Sequence, residues 1–190
     1  MSEKKRTNLK DIEIRVLAEL MKNSRMSDRE LAKVIGVSQP TVTRIRSRLE
    51  KSGVIKEYTL IPDFKQLGYE MMAVTFIGKQ EGPTEKESQE LRKAAVELEN
   101  KTPFASLIVV NGIGLGKGRM LINLYKNYAS YREGIEVIKS LPHAQADDLE
   151  SFLVDLNDKR NFRILSLGQV ARHIQAGVKL VRDDSKKKEA

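Results

Sequence analysis

Apolar residues in the first fifty positions recur at spacings of three and four. Ile12, Val16 and Leu20 interleave with Leu17 and Met21, which predicts a helix over residues 9–22 with a broad buried face. Leu31 and Ile35 predict a second, shorter helix, with Ala32 small enough to let a neighbour cross close by. Val42, Ile45 and Leu49 predict a third. The polar punctuation agrees with these stripes. Ser27 and Glu30 are spaced as a capping box, and Gly36 supplies a left-handed turn after the second helix. Val37 plugs the corner, Ser38 caps the third helix with Pro40 in its first turn, and Gly53 ends it. A helix-turn-helix over residues 27–53, closed by the first helix into a trihelical core, satisfies all of these offsets. Residues 54–62, VIKEYTLIP, alternate like a strand and read as a wing.

Past a short hinge the pattern becomes mixed. Residues 71–77 are a continuous apolar run of strand length. Thr84 and Glu87 form a capping box for a helix through Leu91, Ala95 and Leu98 that stops before Thr102 and Pro103. Residues 104–110 read as a buried strand, 112–118 as a glycine-rich loop and 119–125 as a strand. Ser130 and Glu133 suggest a third capping box, with Tyr131, Ile135 and Ile138 on one face and Pro142 as the stop; residues 149–156 close with a strand. The order β-α-β-β-α-β is that of a ferredoxin-like sandwich, with two helices on one face of a four-stranded sheet. Both parities of residues 71–77 are apolar, and 107–110 are similar, so the second sheet face needs burying, most simply against a copy of the chain. Leu167, Val170, Ile174, Val178 and Val181 form one helical stripe, which either closes the core of its own chain or, the reading preferred here, extends the dimer interface. SKKKEA at 185–190 reads as a solvated basic tail.

The expected fold is therefore α+β. A winged helix-turn-helix DNA-binding domain spans residues 1–62, a hinge 63–69, a βαββαβ dimerisation domain 70–157, and a C-terminal helix with its tail 158–190.

The outward face of the third helix carries the candidate chemistry. At about 100° per residue, the apolar stripe leaves Pro40, Thr43, Arg44, Ser47 and Lys51 on the opposite side, with Gln39 and Arg48 on the flanks and Arg46 nearer the core boundary. Arginine can donate two hydrogen bonds to guanine, glutamine can do so to adenine, and threonine offers a methyl group to thymine. Arg44, Gln39 and Thr43 are expected to discriminate bases, and Arg46, Arg48 and Lys51 to meet phosphates. A solvated basic face is the alternative for an arginine-rich helix taken alone. Lys56 and Tyr58 on the wing either touch the DNA backbone or belong to a plain strand joining two domains.

Charge supports the polyanion reading. Of 190 residues, 34 are Lys or Arg and 26 Asp or Glu, a formal net charge of +8. Cysteine is absent, which excludes disulfides and thiolate metal sites. No signal-type apolar segment or bilayer-length run is present, so a cytoplasmic protein without a membrane partner is expected. Nothing points to catalysis, a cofactor or a metal. His143 and His173 have no acid at triad or ligand spacing, and Asp147, Asp148 and Glu150 read as a solvated loop. Gly112, Gly114, Gly116 and Gly118 alternate and run into a strand, so neither a dinucleotide fingerprint nor a Walker loop is present. Their amides with Lys117 and Arg119 suit an anion nest for an effector, against the favoured reading of a β-β hairpin with a bulge.

Leu9, Glu13, Val16, Leu17, Leu20 and Arg25, then ELAKVIGVSQPTVTRIRSRLEKSGVI, Tyr58 and Leu67-Gly68, resemble the Lrp/AsnC, or feast/famine, family of transcriptional regulators. Lys10 stands where an acidic residue is usual. The resemblance implies a sequence-specific, dimeric DNA-binding regulator and places DNA-facing positions on Gln39, Thr41, Thr43, Arg44 and Ser47. It also implies a βαββαβ domain that dimerises through its sheet and often binds amino acids between dimers. The family's glycine-aromatic-aspartate pattern after the second strand is replaced here by NGIGLGKGRM, so a small-molecule effector stays open and unidentified. Two alternatives remain beside this reading. One is an architectural protein that coats DNA without sequence choice. The other is an enzyme like the sirohaem decarboxylases, which resemble the family in fold but would need more basic residues and histidines around a tetrapyrrole.

Overall fold

In the computed structural model, residues 9–79, 84–98, 101–144, 146–162 and 165–177 are described. They divide into two compact units, with boundaries after Ile61 and after Phe162. Residues 165–177 group with the first unit.

The first unit is trihelical: α1 (Asp11–Lys22), α2 (Asp28–Ile35) and α3 (Gln39–Lys51). Val16, Leu20, Leu31, Ile35, Val42, Ile45 and Leu49 are buried in one cluster, the three stripes that periodicity marked. The expected wing strand over 54–62 is absent, and those residues form a bend and an irregular segment. A strand needs a hydrogen-bonded neighbour, and the described residues of this unit offer none. Residues 168–177 are helical. Ala171 is fully buried, and Gln175 hydrogen-bonds to Glu19 (2.8 Å) and to Lys22 (2.9 Å) of α1. This helix thus contacts α1 of its own chain. Val178, Val181 and the 185–190 tail lie outside the described residues.

The second unit runs β1 (Met71–Ile77), α4 (Glu85–Leu98), β2 (Phe104–Gly114), β3 (Lys117–Tyr125), α5 (Tyr128–Ser140) and β4 (Glu150–Asp155). The sheet is antiparallel at every junction, in the order β2-β3-β1-β4. Thr84 and Glu87 make the expected capping box. The third box belongs instead to Asn127 and Ser130, three residues upstream of the predicted pair, because α5 starts earlier than its apolar stripe. Ile77 and Leu121 of the sheet pack with Leu91 of α4 and with Ile135 and Ile138 of α5, which identifies the covered face. By the same registers Met72, Val74 and Phe76 fall on the other face, beside Ile122 and Phe152.

β2 departs from expectation in two ways. It is an edge strand, largely exposed in the single chain rather than buried, with Val109 and Val110 both open. It also continues through Gly114, farther than expected, so the glycine-rich segment is the favoured β-β hairpin with a bulge. Gly114 pairs with Lys117 across a two-residue turn in which Leu115 (φ 54°) and Gly116 (φ 71°) are both left-handed. That conformation follows the twist of paired strands, and the alternating glycines serve the turn and the bulge before it.

Candidate nucleic-acid interface

The reader helix α3 is aimed by the elements behind it. Ser27 accepts a hydrogen bond from the Glu30 amide while the Glu30 carboxylate accepts from the Ser27 amide (2.8 Å) and hydroxyl (2.7 Å). Those donors hold the Glu30 carboxyl below its ordinary value. Their contribution to stability is therefore present above the unfolded-state value and lost as pH falls through the lower folded one. Gly36 closes α2 at φ 79°, and the amides of Gly36 (2.9 Å) and Val37 (3.1 Å) both donate to the Ala32 carbonyl. Arg15 of α1 donates to the Ile35 carbonyl at 2.8 Å, tying the first helix to the end of the second.

The candidate DNA-facing side chains then separate into two groups. Gln39, Pro40, Arg44 and Lys51 are exposed, and Thr41 and Ser47 are half-buried. Among the described residues, neither Arg44 nor Lys51 has an ion-pair partner. The Thr41 hydroxyl shares a hydrogen bond with that of Ser38 (2.9 Å). Thr43 is exposed, but its hydroxyl donates to Asp28 (2.6 Å) and to the Gln39 carbonyl (3.1 Å), leaving its methyl group to solvent.

Arg46 does not behave as the phosphate contact expected of it. Its Nη2 donates to the Met26 carbonyl at 2.8 Å, its Nε lies 2.7 Å from Asp28, and its guanidinium sits over the Tyr58 ring. The Nε–Asp28 contact is an ion pair by distance, without hydrogen-bond alignment at Nε. Position 46 borders the apolar stripe, so the long side chain reaches back across α2 instead of outward. Arg48 is half committed: it pairs with Glu13 at 2.6 Å, where Glu13 is only 2 % exposed.

The wing candidates also divide. Lys56 is exposed. The Tyr58 hydroxyl donates to Glu50 (2.7 Å), and burial with that hydrogen bond pushes its phenol above its ordinary value. Glu50, the one carboxylate on this side of α3, is thus occupied by Tyr58.

Sequence reasoning missed Asp28, Glu13 and Arg15. Asp28 looked like an ordinary acid in a first turn, and nothing in the spacing announced its bonds to Thr43 and Arg46. Glu13 did leave a signal. It lies three and seven residues before Val16 and Leu20, so it shares the buried stripe, and a carboxylate there needs a cation.

The other candidate residues do not form the anion nest weighed for them. Lys117 is buried and held by Asp148 (2.5 Å) and Glu150 (3.2 Å), so its charge is spent on acids that the sequence reading left solvated. Asp148 and then Glu150 hold that ammonium above its ordinary value. Gly112 lies in β2, Gly118 in β3, and Arg119 donates to Asn111 (3.0 Å) within the hairpin. The anion-nest arrangement of Gly112, Gly114, Gly116, Lys117, Gly118 and Arg119 is therefore replaced by a paired hairpin. His143, at φ 56°, contacts Glu90 (3.0 Å) and Glu87 (3.6 Å), two acids 53 and 56 positions earlier that only the fold brings to it. Among the described residues no group of acids and histidines has metal-ligand geometry, and no helix is long and apolar enough to cross a membrane.

Comparison with known proteins adds three findings. Residues 9–56 match the winged helix-turn-helix DNA-binding family. Over 60 residues the chain is 47 % identical to the HTH-type transcriptional regulator LrpC of Bacillus subtilis, covering 32 % of this chain and 42 % of that one. Over 73 residues it is 34 % identical to the leucine-responsive regulatory protein of Rhizobium meliloti, covering 38 % of this chain and 47 % of the relative. The similarity thus spans less than half the length of these curated relatives. At the level of fold, the structure of B. subtilis LrpC aligns with a TM-score of 0.62 at 24 % identity, over 77 % of this chain and 94 % of the other. A transcriptional regulator of Neisseria meningitidis in complex with L-Met aligns with a TM-score of 0.65 at 16 % identity, over 85 % and 99 %.

Proposed function

We propose, from the premise that the first domain belongs to the winged helix-turn-helix DNA-binding family, that the chain is a sequence-specific transcriptional regulator working as a homodimer in the cytoplasm. The observation that supports this best is the state of the reader helix. Arg46, Thr43 and Glu50 are tied to neighbours, while Arg44 and Lys51 stand free on one exposed, cationic face with Gln39 exposed at its flank. Gln39, Thr41, Thr43, Arg44 and Ser47 then meet base edges, with Pro40 setting the entry of the helix. Lys51 and Arg48 meet phosphates, Lys56 adds a backbone contact, and Arg46 and Tyr58 position the helix from behind.

Residues 63–69 join this reader to a dimerisation domain over 70–157, whose apolar sheet face meets its copy. A two-fold pair of readers selects an approximately palindromic site. Regulation without catalysis, cofactor or metal fits the absence of any reacting constellation in the sequence. A regulator of similar fold is complexed with L-Met, and an effector for this chain is of unidentified structure.

The test is selection of bound fragments from random duplex DNA. Arg44→Ala is expected to relax preference at one base pair and to cost about 1–3 kcal/mol on the best site. Lys51→Ala is expected to weaken all sites alike and to flatten the salt dependence by about one unit of slope. Selection that yields no enriched sequence with the native chain overturns the regulator reading in favour of an architectural coat. Enrichment left unchanged by Arg44→Ala removes α3 from the groove.

A further inference from the structure

α4 covers the sheet poorly. Of its 14 residues only Leu91 is buried, and Val96 is 65 % exposed. Between α4, the β2–β3 half of the sheet and α5 lies a cavity of about 540 Å³. The space is partly open to solvent, so it is a groove beside α4 and not a void inside a packed core. Its volume falls in the range of small-molecule sites. The buried Leu91, Leu121 and Ile138 make its floor apolar, and the exposed Val109 also lines it.

Its charge is one-sided. Arg92 of α4 and Arg119 of β3 both line it, and no carboxylate does among the described residues. Arg119 is half-buried and donates its Nε–H to the Asn111 side chain, which is neutral. Burial first, and the like charge of Arg92 second, push its guanidinium below its ordinary value. Two guanidinium groups at an apolar space, with no carboxylate among its described lining residues, are complementary to an anion that carries an apolar body.

We propose that this cavity binds a carboxylate with an extended apolar chain, its carboxylate on Arg92 and Arg119 and its chain between α4 and the sheet. The ligand replaces the missing contacts of α4, so binding stiffens a helix that the chain alone leaves loosely seated. Uptake needs no DNA, and the inference stands apart from the reading of α3.

Calorimetric titration of the full chain with dodecanoate, below its micelle concentration, tests this. One dodecanoate per chain is expected, with dodecanol and acetate each at least tenfold weaker. Arg92→Gln and Arg119→Gln are each expected to weaken dodecanoate by about tenfold, the worth of one charge-assisted contact. Arg92 is exposed on α4, so its variant reports on binding with little risk to folding. Ala95→Phe places a ring in the cavity and is expected to abolish uptake while circular dichroism stays native. Equal affinity for dodecanol identifies an unspecific void, and equal affinity for acetate a bare anion site. Either result overturns the proposal, as does full binding by Ala95→Phe or no binding of dodecanoate by the native chain.

Discussion

If two copies pair through the sheet face opposite the helices, as proposed above, Val74→Lys is expected to leave the chain monomeric at micromolar concentration. Val74 lies at the middle of β1, opposite Ile122 on one neighbouring strand and Phe152 on the other. All three point away from the helices. Phe152 is 68 % exposed in the single chain, a large apolar surface on the sheet face opposite α4 and α5. There the substitution sets two ammonium groups in an apolar interface, where Glu150, beside Phe76 on the same face, is already paired with Lys117. An uncompensated buried charge costs about 3–5 kcal/mol, and the two-fold axis doubles the insult. Sedimentation velocity reads the mass directly. Phe152→Lys, on the edge strand β4, repeats the test at a position where the fold of the monomer is under less strain. Linked loss of DNA affinity, on the order of a hundredfold or more, is expected because each reader then binds alone. Native mass in both variants moves the interface elsewhere.

Gly134→Ala is the second large effect, and it acts on stability alone. Gly134 is buried in α5 above β2 and β3. An added Cβ would come within 2.7 Å of both the Phe104 and the Tyr125 rings. Those rings are not loose ends. They pack at a tilt with centroids 5.6 Å apart, and Tyr125 meets Tyr131 edge-on at 5.4 Å. Tyr125 is also fully buried, and its hydroxyl accepts from Asn123 (3.2 Å). Alanine is the better helix former by nearly 1 kcal/mol, so propensity alone predicts stabilisation. The clash reverses the sign. Overpacking of this kind costs about 1–3 kcal/mol, and urea denaturation followed by circular dichroism should show a lower midpoint with an unchanged slope. A raised midpoint means that α5 can lift off the aromatic cluster at little cost.

The reader helix was legible because its signals are local. The Val42–Ile45–Leu49 stripe, the Ser27–Glu30 box and Gly36 each act within one or two turns, and the structure has them where spacing put them. The same locality misled at 54–62. Alternation there is a licence for a strand, and the missing neighbour is a long-range fact. The register of the second domain was legible as an element order, since apolar runs and capping residues mark each piece. The residue that caps α5 was not, because Asn127 and Ser130 lie outside the apolar stripe used to find the helix.

The alternation of polar and apolar positions determined, by itself, two kinds of architecture in one chain and the surface with which α3 faces outward. Periodicity is written into neighbours three or four apart, so no tertiary information is needed to read it. What the fold alone decided is which cations are free. Arg46 is spent on Asp28, Arg48 is shared with Glu13, and Lys117 is closed between Asp148 and Glu150, whereas Arg44 and Lys51 stay open. Every one of these residues carries the same charge in the sequence. Their roles diverge because a carboxylate many positions away is brought within an ion-pair distance of some and not of others.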